Sequence, residues 1–251
     1  MKKLMFAISL AGLLGLGASA AVQSANTFGV LKVESSTKQT IICVPWVAVG
    51  AGESPVAVED LVMTSNLEEG DGLYLYDPST KKYKAWFLTS SGTWDSPIMV
   101  DSVGATTGKS AGDTTAERGN ALILVRQHPT TEGETPTAKP IYLYGQYTNS
   151  SVPAMTLSKG AWNLIAPPNM FSSVSDLNSN YTWENVDDSD TIRLQNNGIA
   201  ITLVRHENQW AYKSGNNYIT AAAKVQPGQG FWYVSKGTTD PRVTFSSTTN
   251  N

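Results

Sequence analysis

Four short blocks of this sequence recur in the same order in its two halves, and a chain that repeats itself at a spacing of roughly a hundred residues reads as two like units in tandem. The first block is Thr40-Ile41-Ile42-Cys43-Val44-Pro45-Trp46, matched by Trp162-Asn163-Leu164-Ile165-Ala166-Pro167-Pro168. Each reads as an apolar strand stopped by proline, which lacks a ladder N–H and holds its predecessor extended. The second sets Val58-Glu59-Asp60-Leu61 against Val174-Ser175-Asp176-Leu177. The third is a hairpin: Gly72 to Tyr76, a turn at Asp77-Pro78-Ser79, a return over Tyr83 to Leu88, then Trp94. Its counterpart runs Thr191 to Leu194, turns at Asn196-Asn197-Gly198, returns over Ile199 to Val204 and reaches Trp210. Asp-Pro and Asn-Gly supply the backbone angles that tight turns demand. In the fourth, Gly119 and Gly228 each lead into an apolar strand, Ala121 to Val125 and Gly230 to Val234, of the kind buried on both faces.

Helical signals are confined to a turn or two near Val58–Ser65 and Val174–Asn178. Short strands separated by Gly, Asn, Ser and Pro predict an all-β chain: two tandem, pseudo-repeated antiparallel β-sandwich or small-barrel domains. The expected divisions are a signal peptide over 1–20, a first repeat over 21–148 and a second over 149–251, joined at Thr148–Pro153. Val103–Ala116 and His128–Lys139, rich in Gly, Thr and acids, read as long disordered loops.

The signal assignment rests on Lys2-Lys3, an apolar run from Leu4 to Gly17 and the small-residue site Ala18-Ser19-Ala20. It implies export, to the periplasm, the cell surface or the medium. No later stretch reaches the roughly 20 apolar residues of a membrane-spanning helix. Cys43 is the one cysteine, so no internal disulfide forms, and it reads as a buried apolar thiol. Without Lys2 and Lys3 the 18 basic residues fall to 16 against 21 acidic ones, a formal charge of −5. That sign, with no basic cluster, argues against nucleic acid as a partner.

Trp162-Asn163-Leu164-Ile165 with Pro168, followed by Pro227-Gly228-Gln229-Gly230-Phe231-Trp232, resembles a W-N-L-I-x-x-P … P-G-x-G-[FY]-W unit of exported bacterial β-repeat proteins of uncharacterised function, planctomycete and verrucomicrobial in type. The resemblance covers most of the chain after the signal segment and implies export and architecture, with no catalytic residue to carry over. The first half departs from it, with Ala121-Leu122-Ile123 where the second has Gly230-Phe231-Trp232.

Signs of chemistry are sparse. Gly104 to Ser110 has three residues between its glycines where a phosphate-binding loop needs four. His128 and His206 have no neighbouring metal-ligand set and read as surface residues, and no nucleophile elbow is present. The acidic segments Glu68–Asp71 and Glu184–Asp190 precede the two hairpins. Their carboxylates would suit calcium, with Asp187, Asp188 and Asp190 as ligands, or a carboxylate-dependent hydrolase. No other cofactor is implied. Among the tryptophans, Trp94, Trp210 and Trp232 sit at repeated positions and read as core, whereas Trp86 and Trp183 lack counterparts and are the expected ligand contacts. The sequence therefore points to an exported non-enzymatic β module, structural or adhesive at the cell surface, with a cell-surface protein or polysaccharide as partner. A carbohydrate-binding module is the alternative; an open face of coplanar tryptophans distinguishes it.

Overall fold

The computed structural model describes residues 28–45, 54–78, 80–95, 97–101, 106–109, 115–116, 118–127, 138–146, 154–166, 174–196 and 199–245. The expected signal segment, the Thr148–Pro153 joint and His128 lie outside them. Alternating apolar and polar residues give the first half β1 (Phe28–Val33), β2 (Gln39–Cys43), β3 (Val56–Ala57), β4 (Val62–Met63), β5 (Gly72–Asp77), β6 (Lys82–Phe87), β7 (Ile98–Val100), β8 (Thr106–Lys109), β9 (Thr115–Ala116), β10 (Ala121–Val125) and β11 (Ile141–Gln146). The second half has β12 (Met155–Thr156), β13 (Trp162–Ile165), β14 (Ser175–Asp176), β15 (Tyr181–Glu184), β16 (Thr191–Asn196), β17 (Ile199–His206), β18 (Gln209–Ser214), β19 (Asn217–Ile219), β20 (Lys224–Val225), β21 (Phe231–Val234) and β22 (Arg242–Phe245). Helix among the described residues is one turn at Val58–Leu61 and 3-10 turns at Thr64–Asn66 and Thr220–Ala222. No helix among them is long and apolar enough to cross a membrane.

The sheets are antiparallel and open, so the all-β, sandwich-like expectation holds and the barrel option does not. The first half has a six-stranded sheet in the order β2-β10-β5-β6-β7-β8, a three-stranded sheet β1-β11-β4 and the pair β3-β9. The second half has β13-β21-β16-β17-β18-β19, β12-β22-β15 and β14-β20. Taken in chain order within each half, the ranks are the same. Leu73, Trp86, Leu122, Leu124 and Ile42 of the first long sheet form one buried cluster with Val33, Val62, Ile141 and Leu143 of the short one. Ile165, Ile192, Leu203, Trp210, Phe231 and Tyr233 do the same with Val243 and Phe245. Each large side chain removed from water contributes about 1.5–3 kcal/mol.

Register refines the matching of blocks. Leu122 lies opposite Ile42, and Phe231 opposite Ile165. Aligning Gly119 with Gly228 therefore sets Ile42 level with Ile165, one residue on from Leu164, its match in the sequence blocks. Likewise Val56 pairs with Ala116 and Ser175 with Val225, which brings Val58 level with Leu177, three residues from the sequence match. Two corrections concern whole segments. Within Val103–Ala116, Thr106–Lys109 is a strand on the edge of the long sheet, pairing Lys109 with Ile98, and Thr115–Ala116 is β9. An edge strand open to water tolerates the polar residues that suggested a loop. The helical signal at Val174–Asn178 is instead β14 followed by a turn.

The halves meet along a seam of reciprocal contacts. Cys43 N–H donates to Gly228 O at 2.8 Å, and Ala166 N–H, at the level position, donates to Gly119 O at 3.0 Å. Ile42 bridges to Gln229 as Ile165 bridges to Asn120. Equal patches bonding to each other in exchange are the signature of a two-fold relation. Close to that axis a Cβ on Gly230 would lie 2.7 Å from the Cβ of Ala121, its level residue.

Candidate functional site

The acidic segments owe their geometry to the fold. Asp71 and Asp190 occupy level positions before β5 and β16, and both are fully buried. Asp71 accepts hydrogen bonds from Glu68 N at 3.0 Å and Gln127 N at 2.7 Å, and pairs with Arg126 Nε at 3.1 Å. Asp190 accepts from Asp187 N at 2.9 Å, Lys236 N at 2.6 Å and the Tyr233 hydroxyl. Each carboxylate thus ties the turn before a hairpin to the end of a central strand. The Tyr233 hydroxyl is held well above its ordinary pKa, first by burial and then by its bond to Asp190.

The calcium expectation named Asp187, Asp188 and Asp190. Both Asp190 oxygens accept from N–H or O–H donors. Asp187 accepts from the Ser189 hydroxyl and N–H, which hold its carboxyl below the usual range. Among the described residues no three His, Cys, Asp or Glu side chains converge as a metal site would require.

The two tryptophans expected at a ligand pack against the two cores. Trp86 is 1% exposed, because its place on β6 faces the short sheet and fills the first core. Trp183 is half-buried: its ring stacks with Tyr181 and Tyr233, lies edge-on to Trp210, and its Nε1 donates to Leu177 O at 2.9 Å. A tryptophan without a counterpart in the other half is here a substitute core residue.

The exposed aromatic residues lie elsewhere, on the outer faces of the long sheets. Register places Arg193 beside Trp232 on β16 and β21, and Trp162 one pair along on β13, so all three share a face. Trp162 is 39% exposed, and the Arg193 guanidinium lies 4.5 Å over its ring. Trp232 is half-buried and meets Trp162 edge-on, with centroids 5.6 Å apart and planes at 80°. Across the seam Tyr76 lies 5.1 Å from Trp232 at 75°. The row continues through the cross-strand pair Tyr76–Tyr83 at 5.0 Å, then Tyr74 at 6.2 Å from Tyr83 and Phe87 at 5.8 Å from Tyr74. Partial burial raises the pKa of all three tyrosine hydroxyls. A second group stacks the half-buried His206 of β17 on Tyr218 of the edge strand β19, with Lys213 of β18 above the same ring.

The two-fold relation supplies an internal control. At the levels of Trp162, Trp232, Tyr76 and Arg193 the other half carries Gln39, Ile123, Gln195 and Tyr74. The same strands are built there without tryptophan or arginine, so the fold does not require the cluster. The core reading of Trp232 accounts only for the part of its ring that packs on the first cluster, and neither Trp162 nor Arg193 stands out in the sequence as a ligand contact. The usable signal was the comparison of copies, together with a lone charge in the apolar alternation Ile192-Arg193-Leu194. No family model, curated protein or solved structure matches this chain.

Proposed function

We propose that this chain is an exported, non-enzymatic β-repeat module with a structural or adhesive role at the bacterial cell surface, built of two domains, 21–148 and 149–251. The observation that carries the reading is the half-exposed aromatic row running across the seam and ending on Trp162 and Arg193. Tryptophan, tyrosine and arginine supply most binding energy at protein interfaces, because they combine large apolar area with oriented donors. The acids that would have served a hydrolase or a calcium site are, at Asp71 and Asp190, spent on folding. The signal-like N-terminus and the resemblance to exported repeat proteins support the location.

The carbohydrate-binding alternative draws less support, since the rings at the seam cross at 75–80° and present edges where sugar stacking needs flat faces. Binding of the purified chain to bacterial envelope fractions tests the proposal. Saturable binding is expected, weakened about tenfold or more by Trp162→Ala, the size of a hot-spot loss. Turnover of a glycoside by the purified chain would overturn it.

A further inference from the structure

The adhesive reading leaves the partner's chemistry open, and the seam narrows it. Arg193 is exposed, and among the described residues it has no acidic partner; its recorded contact is the face of Trp162. Stacking on a ring holds a guanidinium flat and leaves its N–H edge free, the geometry that receives a carboxylate by two parallel hydrogen bonds. The neighbouring outer-face positions, Thr191, Thr202, Leu164 and Val234, carry no charge, so nothing on these strands competes for that edge. Trp162, Trp232 and Tyr76 meet edge-on, and rings packed at steep angles leave notches for side chains rather than a flat platform.

Resting on that adhesive reading, we propose that Tyr76, Trp162, Arg193 and Trp232 form a docking site for an acidic peptide segment of a protein partner. An Asp or Glu of the segment pairs with Arg193, and an apolar side chain beside it enters the notch between the rings. Charge complementarity decides for this occupant. The cluster's absence at the level positions of the other half separates it from what the fold needs.

The test screens the full chain against a bead-bound library of 12-residue peptides, then measures the selected peptides by fluorescence anisotropy. Enrichment of Asp or Glu next to Phe, Trp or Leu is expected, with affinity falling as salt rises. Arg193→Ala and Trp162→Ala are each expected to weaken binding at least tenfold, and Arg193→Lys to restore only part of it. Thr202→Ala, on the neighbouring strand, is expected to leave it unchanged. Both sites lie on the surface, and thermal melts of the variants establish that they fold. Selected peptides without acids, or affinity indifferent to Arg193, would overturn the proposal, as would selective binding of polygalacturonate in place of peptide. Envelope binding that survives both substitutions would sink this site while leaving the adhesive role standing. Peptide binding without envelope binding would do the reverse.

Discussion

Asp71 and Asp190 show one structural demand met by two chemistries. Arg126 supplies the third donor in the first half; in the second, Ser235 stands at that level and Tyr233 donates from the facing position. Each carboxylate keeps two backbone N–H donors, but removing Arg126 takes the counter-charge from a buried ion, whereas removing the Tyr233 hydroxyl takes away one neutral donor. Arg126→Met is therefore expected to cost about 3 kcal/mol and Tyr233→Phe about 1 kcal/mol, read by urea unfolding; equal costs would refute the distinction. Cys43 gives a pH signature. Burial raises its thiol from 9.0 to about 12, so the folded chain retains a proton that the unfolded chain releases. Stability from this group is full below pH 9 and is lost as pH rises to 12. Burial likewise raises Tyr181 and Tyr233, which add to the alkaline loss. Chemical denaturation from pH 7 to 11 is expected to show the decline beginning near pH 9, and Cys43→Ala to delay it. An unchanged profile in that variant would contradict the assignment.

At the scale of elements, the turns leading into β10 and β21 do double duty. Gly119 and Gly228 adopt φ of +90° and +77°, a region L side chains rarely occupy, and their carbonyls receive the seam hydrogen bonds from the opposite half. A Cβ on Gly228 would also fall 2.3 Å from Val33 Cγ2. Gly230 is confined differently, between Ala121 Cβ, Ile41 Cγ2 at 2.8 Å and Ile165 O at 2.9 Å. Gly230→Ala is expected to cost on the order of 2 kcal/mol through overpacking. Adding Ala121→Gly is expected to recover part of that loss, because the two Cβ positions face each other near the axis; a denaturant double-mutant cycle measures the coupling. Strict additivity would mean that the strand starts do not meet as described.

For the whole molecule, the two cores are not separate reservoirs of stability. Leu164 and Ala166 of the second half pack in the first cluster, and Trp232 packs against it. Each half thus loses buried area if the other unfolds. A single calorimetric transition is expected for the full chain, with Gly230→Val, which crowds the seam, dividing it into two. Two transitions in the unaltered chain would refute this coupling. Iodoacetamide labelling of Cys43 offers a second reading, since the thiol is buried beside the seam and should react only as the halves part.

Strand content, antiparallel pairing and the hairpins at Asp77-Pro78 and Asn196 were legible from residue order, because alternation and turn chemistry act between near neighbours. Register was not: the sequence blocks set Ile42 against Leu164, and only the pairing of β2 with β10 and of β13 with β21 sets it level with Ile165. The site was legible only in its residue types. Trp86 and Trp162 are the same amino acid on strands of the same kind, yet one faces the short sheet and the other faces outward. That difference depends on which sheet packs on which face, a long-range matter that no local pattern of residues encodes.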